Sequence, residues 1–166
     1  RVEEYRAPQF LVDVTAEANL LSGSPLKASA SARYLFGGAM AKAQAQWTIE
    51  RTTASYEPPK NEPFSFGDVY DPFDETSSNY QTTNVTSRGE SPLDAKGFLQ
   101  IEAGKAETPG DKPYKYTIEA EVTDVNRQRV ANRAEIFVHP AKIYVGQHLK
   151  GSGFAESGKP VEIELV

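Results

Sequence analysis

The sequence predicts an all-β protein built as an antiparallel β-sandwich, and three observations support this prediction. Apolar and polar residues alternate with a period of two along several segments, which is the pattern of strands with one buried and one exposed face. Clusters rich in Gly, Pro, Asn and Asp separate these segments and are typical of turns. Helical periodicity is nearly absent from the chain. Half-buried strands joined by turns indicate two sheets packed over one core.

The N-terminal half contains three of the predicted strands. They cover residues 10–14, 26–34 and 41–50, and the turn signals between them are Gly23-Ser24-Pro25 and Gly37-Gly38. The alanine-rich stretch between residues 28 and 45 would also suit a helix, because alanine is the best helix former. Its alternating Ser, Gln and Lys neighbours and its bounding Gly and Pro residues favour strands. Trp47, the only tryptophan, falls on the apolar face of the third strand and is predicted to lie in the core.

The C-terminal half of the sandwich contains three further predicted strands. They cover residues 98–102, 116–122 and 134–138, and Pro109-Gly110-Asp111 marks a turn before the second of them. A few polar residues from Asp124 to Gln128 separate the last two strands and predict a hairpin. We therefore expect a sandwich of the fibronectin or immunoglobulin type.

Residues 56–92 interrupt this alternation and are predicted to form a long insertion within the sandwich. The stretch is rich in Pro, Ser, Thr, Asn and acidic residues, and loops of this length are usually functional or disordered. We expect its aromatic residues to anchor the insertion on the protein's own sheet, with a partner-binding patch from Phe64 to Phe73 as the alternative. Its tip, around Glu75 to Arg88, is predicted to be the most mobile part of the chain.

A boundary is predicted at His139-Pro140, because proline is excluded from central strands and restricts the residue before it. A new pattern follows, with Ile143 and Val145, a glycine-rich stretch from Gly146 to Gly158, and alternating apolar residues from Val161 to Leu165. Two strands cannot bury a core. We therefore assign residues 1–139 to the sandwich, residues 140–166 to the first strands of a following domain, and the chain to a larger multidomain protein.

The composition excludes several functional classes. The formal charge is −5 and the 18 Lys and Arg residues are scattered, which argues against nucleic acid as a partner. No apolar stretch is long enough to span a membrane. The chain has no cysteine, so it contains no disulfide, thiolate zinc site or cysteine nucleophile.

An acidic cluster and two histidines are the candidates for metal binding or catalysis. The cluster comprises Asp68, Asp71, Asp74 and Glu75, with Asp13 and Asp94 elsewhere. Carboxylates suit calcium, but Pro72 and Phe73 interrupt the alternating spacing of a calcium loop, so solvated turn residues are favoured. His139 and His148 lack neighbours in a metal-ligand or triad pattern. We therefore predict no catalytic, cofactor-binding or metal-binding residue.

Two short motifs favour no site. Gly151-Ser152-Gly153 lacks the strand-to-helix setting of a nucleophile elbow or a phosphate loop. Asn84-Val85-Thr86 fits a glycosylation acceptor, which has meaning only in a eukaryotic secretory route.

Several segments together resemble the alpha-2-macroglobulin superfamily. Val2 to Val12 is similar to the string "v-x-E-Y-x-x-P-x-F-x-V", where one macroglobulin-like domain passes to the next. Ala32 to Met40 resembles "A-R-Y-x-(Y/F)-G-x-P-(V/M)", with Ala39 at the position of the proline. Tyr116 to Val130 is similar to a late "v-T-D-x-x-x-R-x-V" hairpin, and Ile143 to Val161 to the first strands of the next domain. These segments occur in family order.

The resemblance implies a scaffold module of a protease-trapping inhibitor of bacterial type, periplasmic or extracellular, with any membrane anchor elsewhere in the parent. Its partners would be neighbouring macroglobulin-like domains and, through the parent, target proteases. The family's thioester needs a Cys-x-x-Gln type motif, which a chain without cysteine cannot contain. The residues expected at the module's joints are Tyr5, Pro8, His139, Pro140 and Tyr144.

Two alternatives belong to other functional classes. The first is a binding module of an adhesin or a multidomain extracellular enzyme that uses the insertion as its contact surface. The second, less favoured, is a hydrolytic or metal-dependent enzyme.

Overall fold

The computed structural model describes residues 9–60, 62–67, 83–151 and 157–166, and these residues form eleven strands and no helix. The strands are β1 (Phe10–Ala16), β2 (Asn19–Leu21), β3 (Pro25–Tyr34), β4 (Gln44–Thr53), β5 (Ser65–Phe66), β6 (Thr83–Pro92), β7 (Phe98–Lys105), β8 (Tyr114–Thr123), β9 (Arg129–His139), β10 (Gly146–Leu149) and β11 (Ile163–Leu165). The prediction of an all-β fold is confirmed.

Two sheets form the sandwich and a third, smaller sheet adjoins it. The larger sheet has the order β2-β9-β8-β4-β6 and the facing sheet the order β1-β3-β7. Every pairing is antiparallel except that of β2 with β9, which is parallel. The third sheet has the order β11-β10-β5 and therefore joins the predicted insertion to the segment after His139. Asn132 of β9 also donates a hydrogen bond to the main-chain oxygen of Val12, 2.8 Å away, which links the two main sheets along one side.

The predicted alternation places the core correctly. Both sheets contribute fully buried side chains, among them Leu26, Ala28, Ala30 and Ala32 from β3 and Tyr116, Ile118, Ala120 and Val122 from β8. Their polar neighbours along the same strands point outward, as the period of two requires. The core combines several buried alanines with larger buried side chains, among them Phe10, Ile49 and Ile101.

The prediction that residues 56–92 form one loop-like insertion is wrong at its C-terminal end. Residues 83–92 form β6, a ten-residue strand paired with β4 from Gln44 to Thr52. The predicted mobile tip is therefore wrong for residues 83–88, and its remainder lies outside the described residues. β6 has no apolar alternation because it lies at the edge of the sheet, where most of its side chains are exposed. Main-chain hydrogen bonds to β4 hold β6 in place, and such bonds leave no pattern in the side chains.

Other strand boundaries also differ from the prediction. β4 starts at Gln44 and not at Ala41, because Lys42 has the left-handed φ of 62° and residues 41–42 form a turn. In the C-terminal segment, Ile143 and Val145 lie in an exposed loop, and β10 begins at Gly146 within the predicted glycine-rich turn. The short strands β2 and β5 had no sequence signal. Pairing with β9 and with β10, respectively, positions them.

The predicted hairpin between β8 and β9 is confirmed, and Asp124 organises it. The Asp124 carboxylate is buried and accepts hydrogen bonds from the main-chain N–H groups of Asn126 and Gln128, both at 2.8 Å. An Asp side chain that caps its own turn in this way is a common device for reversing a chain.

Trp47 packs against the core between two small cross-strand neighbours. It is partly buried, and it pairs with Ala120 of β8 on one side and with Gly89 of β6 on the other. A Cβ atom built on Gly89 would lie 2.5 Å from Trp47 Cζ2 and 2.8 Å from Cε2. The indole therefore covers the glycine, which leaves no room for a side chain.

We expect Gly89→Val to displace the indole and to lower the free energy of unfolding by about 1–3 kcal/mol, because a branched side chain overpacks the site. Denaturant unfolding followed by tryptophan fluorescence measures both effects, since Trp47 is the only tryptophan. Glu90→Val, on the exposed face of the same strand, is the matched control and should change neither. Equal stability of the two variants would contradict the contact.

Candidate joint at the end of strand β9

The structure brings three of the five predicted joint residues together. His139 is the last residue of β9, Pro140 follows it, and Tyr144 lies in the loop before β10. Tyr5 and Pro8 lie outside the described residues. The candidate functional site is therefore the place where the chain leaves the sandwich.

Main-chain bonds fix the position of His139. Its neighbour on β2 is Leu21, and the main-chain oxygen of His139 accepts a hydrogen bond from the N–H of Ser22 at 2.8 Å. Two residues earlier, the N–H of Phe137 donates to the main-chain oxygen of Ala18 at 2.8 Å. The short strand β2, at the edge of the large sheet, thus pairs with the end of β9 and fixes its position.

An aromatic cluster surrounds the His139 side chain, and Tyr56 is at its centre. The Tyr56 ring centroid lies 5.0 Å from that of His139, 4.7 Å from that of Tyr144 and 5.7 Å from that of Phe137. The Phe137 and His139 rings are 4.8 Å apart. Tilted and edge-on aromatic contacts at these distances are favourable. We refer to Tyr56, Phe137, His139 and Tyr144 as the joint cluster.

Both nitrogens of the His139 ring have hydrogen-bond partners. Nδ1 lies 2.8 Å from the Tyr144 hydroxyl, and Nε2 lies 3.4 Å from the side-chain oxygen of Asn19 on β2. An amide oxygen only accepts, so the neutral ring with its proton on Nε2 satisfies both contacts and leaves Nδ1 to accept from the tyrosine. The ring thereby connects the sandwich, through Asn19, to the segment after β9, through Tyr144.

Burial shifts the pKa values of two members of the joint cluster. It lowers the pKa of His139 below its ordinary value of 6.5, because the charged imidazolium loses hydration. Burial, and then the neighbouring Tyr56, raise the pKa of Tyr144 above its ordinary value of 10.0. Both shifts favour the neutral forms of His139 and Tyr144.

A second contact links the sandwich to the following segment. β5, from the predicted insertion, pairs with the first residues of β10, with Phe66 opposite Gly146 and Ser65 opposite Gln147. A Cβ atom on Gly146 would lie 2.5 Å from Phe66 Cζ and 2.8 Å from Val166 Cγ1, so the glycine leaves space for the phenylalanine ring. The rings of Phe64 and His148 meet edge-on at 5.9 Å. The prediction that aromatics anchor the insertion is correct for Phe64 and Phe66, but they dock on β10 and not on the sandwich.

Among the remaining candidate residues, those that the structure describes do not assemble into a site. Asp68, Asp71, Asp74 and Glu75 lie outside the described residues, as do Tyr70, Phe73, Ser152 and Gly153. Asp13 points outward from β1, and the Asp94 carboxylate accepts hydrogen bonds from the N–H groups of Lys96 and Phe98 in its own turn. In the described part of the chain, no three His, Cys, Asp or Glu residues are grouped so that they could hold a metal ion. Asn84 lies on the exposed edge strand β6.

Sequence reasoning missed three contributors to the joint. In the sequence, Tyr56 is only the first residue of the predicted insertion, Phe137 alternates with the apolar residues Ile136 and Val138 and so falls on the face of Arg133 and Glu135, and Asn19 carries no signal. Phe137 could have indicated the joint, because a large aromatic residue on the same exposed strand face as Arg133 and Glu135 usually packs against another part of the protein. The partner itself, Tyr56, lies 81 residues away along the chain by residue number and could not be identified from the local pattern.

The described residues form a macroglobulin-like all-β module with a structured joint to the segment that follows it. The chain belongs to the family described as "Bacterial Alpha-2-macroglobulin MG5 domain", whose model matches residues 10–140. The resemblance inferred from the sequence motifs is thus confirmed at the level of the family.

Comparison with individual proteins agrees with this assignment. The chain is 27% identical over 169 residues to an alpha-2-macroglobulin homolog from Nostoc sp., an alignment that covers 100% of this chain and 8% of that protein. Among solved structures, native Escherichia coli alpha-2-macroglobulin matches with a TM-score of 0.68 at 16% identity, over 98% of this chain and 10% of the other. The form activated by porcine elastase gives 0.69 at 17% identity, over 98% and 14%. Salmonella alpha-2-macroglobulin reacted with methylamine gives 0.68 at 17% identity, over 89% and 9%.

No helix in the described residues is long and apolar enough to cross a membrane.

We expect the joint to weaken as the pH falls. The folded joint holds the pKa of His139 below the ordinary value of 6.5, which the disordered joint would have. At a pH between the folded and the ordinary pKa, the disordered joint therefore binds more protons than the folded joint. Its stability is therefore full above about pH 6.5 and decreases as the pH falls from there towards the folded pKa. Hydrogen exchange of the β10 amides, measured between pH 7.5 and pH 5 with correction for intrinsic exchange, should show this loss.

His139→Gln should abolish the pH dependence, because glutamine does not titrate. His148→Gln is the matched control, since His148 is the only other histidine and contacts Phe64 instead of the joint cluster. If the two variants retain the same pH dependence, His139 is not its source.

We expect Gly146→Ala to loosen the β5–β10 pairing, because the added methyl group would collide with the Phe66 ring. Amide exchange in Ser65–Phe66 should accelerate while exchange in β8 stays unchanged. Gln147→Ala, one residue along, shortens a side chain without adding an atom beside Phe66 and serves as the control. Unchanged exchange in β5 would show that Phe66 adapts without giving up the pairing.

Proposed function

We propose that this chain is a structural module of a bacterial alpha-2-macroglobulin that acts as a protease trap, and that the module's role is to hold its neighbours in place. The observation that carries the proposal is the joint, where the aromatic cluster and the β5–β10 pairing both tie the sandwich to the segment after His139. Family membership supplies the context. The parent's inhibitory activity, its target proteases and its location in the periplasm or outside the cell are parts of the same proposal.

The domain division is also part of this proposal. We assign residues 1–139 to the module and residues 140–166 to the first strands of the next macroglobulin-like domain. Exposed apolar side chains support the assignment, because they accumulate after residue 140 and suggest a core that further strands complete. They are Ile143 at 79%, Val145 at 64%, Val161 at 46%, Ile163 at 55%, Leu165 at 70% and Val166 at 56% exposure. The end of the family match at residue 140 agrees with this division.

A scaffold role requires a fold that survives changes in the parent. The chain matches the native and the elastase-activated Escherichia coli proteins equally well, with TM-scores of 0.68 and 0.69. That similarity supports a module that moves as one body when its parent changes state. The continuous hydrophobic core and the long β4–β8–β9 pairing provide the physical basis for such rigidity.

The proposed module performs no chemistry of its own. The joint cluster combines aromatic packing with the hydrogen bond between His139 and Tyr144, and the family's thioester chemistry would require a cysteine outside this chain. In this proposal a protease cleaves the parent elsewhere, the domains rearrange, and the joint transmits the movement.

The test uses the full-length parent and a broad-specificity protease, with and without methylamine, followed by intact mass, peptide mapping and small-angle scattering. We expect cleavage at one site outside residues 1–166 together with compaction of the parent. Protease inactivated before mixing is the control and should cause neither. Methylamine that adds mass at a cysteine–glutamine pair outside this chain would add a thioester to the mechanism.

Indiscriminate cleavage without compaction would contradict the trap and favour the binding-module alternative. That alternative is tested by deleting residues 68–82, a deletion that leaves β5 and β6 in place. Loss of affinity for a glycan or surface protein would then assign function to the insertion.

A further inference from the structure

The hairpin tip after β3 places two large apolar residues where the module cannot bury them. The main-chain oxygen of Tyr34 accepts from the N–H of Gly37 at 2.9 Å, and the N–H of Tyr34 donates to the oxygen of Gly38 at 2.8 Å. Leu35 and Phe36 are therefore the two central residues of a tight turn, positions usually taken by Gly, Pro, Asn or Asp. Leu35 is 62% exposed and Phe36 is 82% exposed. The turn geometry does not require large side chains at these two positions.

The exposed Phe36 ring is held in a fixed orientation. It stacks on Tyr34 with centroids 4.9 Å apart and an interplanar angle of 7°. Gly38 lies directly beneath its edge, since a Cβ atom there would come within 3.1 Å of Phe36 Cε2. An aromatic side chain already fixed before binding loses little conformational entropy when a partner covers it. Rigid exposed aromatics of this kind are typical anchors of protein interfaces.

A groove and a third apolar residue extend this surface. The groove runs between the tip and the β8–β9 turn, and its walls include Tyr34, Met40 and Val125. Val125 is 88% exposed. We refer to Leu35, Phe36 and Val125 as the tip surface. The exposed cations Lys42 and Arg127 flank it, whereas the nearby Asp124 carboxylate is occupied by its own turn. The surface therefore suits a partner with an apolar pocket and an acidic rim.

The course of the chain identifies the occupant. The N–H of Leu35 donates to the main-chain oxygen of Gln9 at 2.9 Å, so the chain enters β1 beside the tip. A domain joined to the chain ahead of β1 would thus be tethered near the tip surface at a high effective concentration. The joint cluster lies at the opposite end of β9, where the chain leaves the sandwich.

We propose that the tip surface docks the domain that precedes this module in the parent chain, with Phe36 inserted into an apolar pocket of that domain. This inference rests on the proposed function only in requiring that the module be part of a longer chain, as the 8% coverage of the Nostoc relative suggests. Each end of the module would then carry one apolar contact, Phe36 at the entrance and the joint cluster at the exit.

Hydroxyl-radical footprinting of the full-length parent in its native state tests the contact. Val85 on β6 is the internal reference, because it is an exposed apolar residue, 46% exposed, away from the tip. Phe36 is both more exposed in the module and chemically more reactive towards the radical than valine. Phe36 in an uncovered tip is therefore labelled faster than Val85, whereas Phe36 in a docked tip is labelled more slowly than Val85. We expect slower labelling at concentrations where the parent is monomeric.

Variants of the full-length parent identify the partner. Leu35→Ser combined with Phe36→Ser should increase hydrogen exchange in the preceding domain, while Val85→Ser should not. Slow exchange in β8 in both variants shows that the module remains folded. Labelling of Phe36 that is faster than that of Val85 overturns the proposal. The proposal is also overturned if the double variant increases hydrogen exchange only in another domain, or in no domain. If the slow labelling of Phe36 disappears on dilution, the tip surface contacts a second copy of the parent, and the proposal is overturned. Neither arm uses a protease, so failure here is independent of failure of the trap.

Discussion

The antiparallel pairing of β8 with both β4 and β9 sets the positions of the other strands. β8 contributes four fully buried side chains, from Tyr116 to Val122, and its ten residues are in register with ten residues on each side. Because the register of a half-buried strand cannot slip by one residue without exposing its apolar face, this pairing fixes where β4 and β9 begin and end. The position of β6 on β4, of β2 on β9, and of His139 at the end of β9 all follow.

That central pairing gives the module two distinct ends. At one end β1 begins and the turns after β3 and β8 meet. At the other, β9 ends in a joint built from aromatic rings and one neutral histidine. The joint combines contacts from β2, the start of the insertion and the loop before β10, so no single element determines it. Contacts that come from several elements would suit the scaffold role proposed above. Partial burial also lowers the pKa of the His139 imidazole at this joint, because its charged form loses hydration there.

The insertion has a structural role that its composition concealed. Its start supplies Tyr56 to the joint cluster, its middle supplies β5 to the small sheet with β10, and its end is the edge strand β6. Glycines make two of these contacts possible, since Gly146 leaves space for Phe66 and Gly89 leaves space for Trp47. A segment rich in Pro, Ser, Thr and Asn can therefore be tied to the fold at several points while its side chains remain largely polar. Polar composition is evidence of exposure, and it is weak evidence against regular pairing.

The sequence by itself determined the fold class, the inward faces of β3, β8 and β9, the Asp124 hairpin and the family. These features depend on side-chain burial and on local turn chemistry, both of which leave a periodic or positional pattern in the residues. It also indicated that His139 and Tyr144 lie at a joint, through the family resemblance. Only the tertiary structure decided that Thr83 to Pro92 is a strand, that Phe66 pairs with Gly146, and that Tyr56 packs on His139 and Phe137. The physical reason is that main-chain hydrogen bonding is common to all residue types except proline. A strand fixed by its partner, or a contact between residues far apart in the chain, therefore leaves little trace in the local sequence.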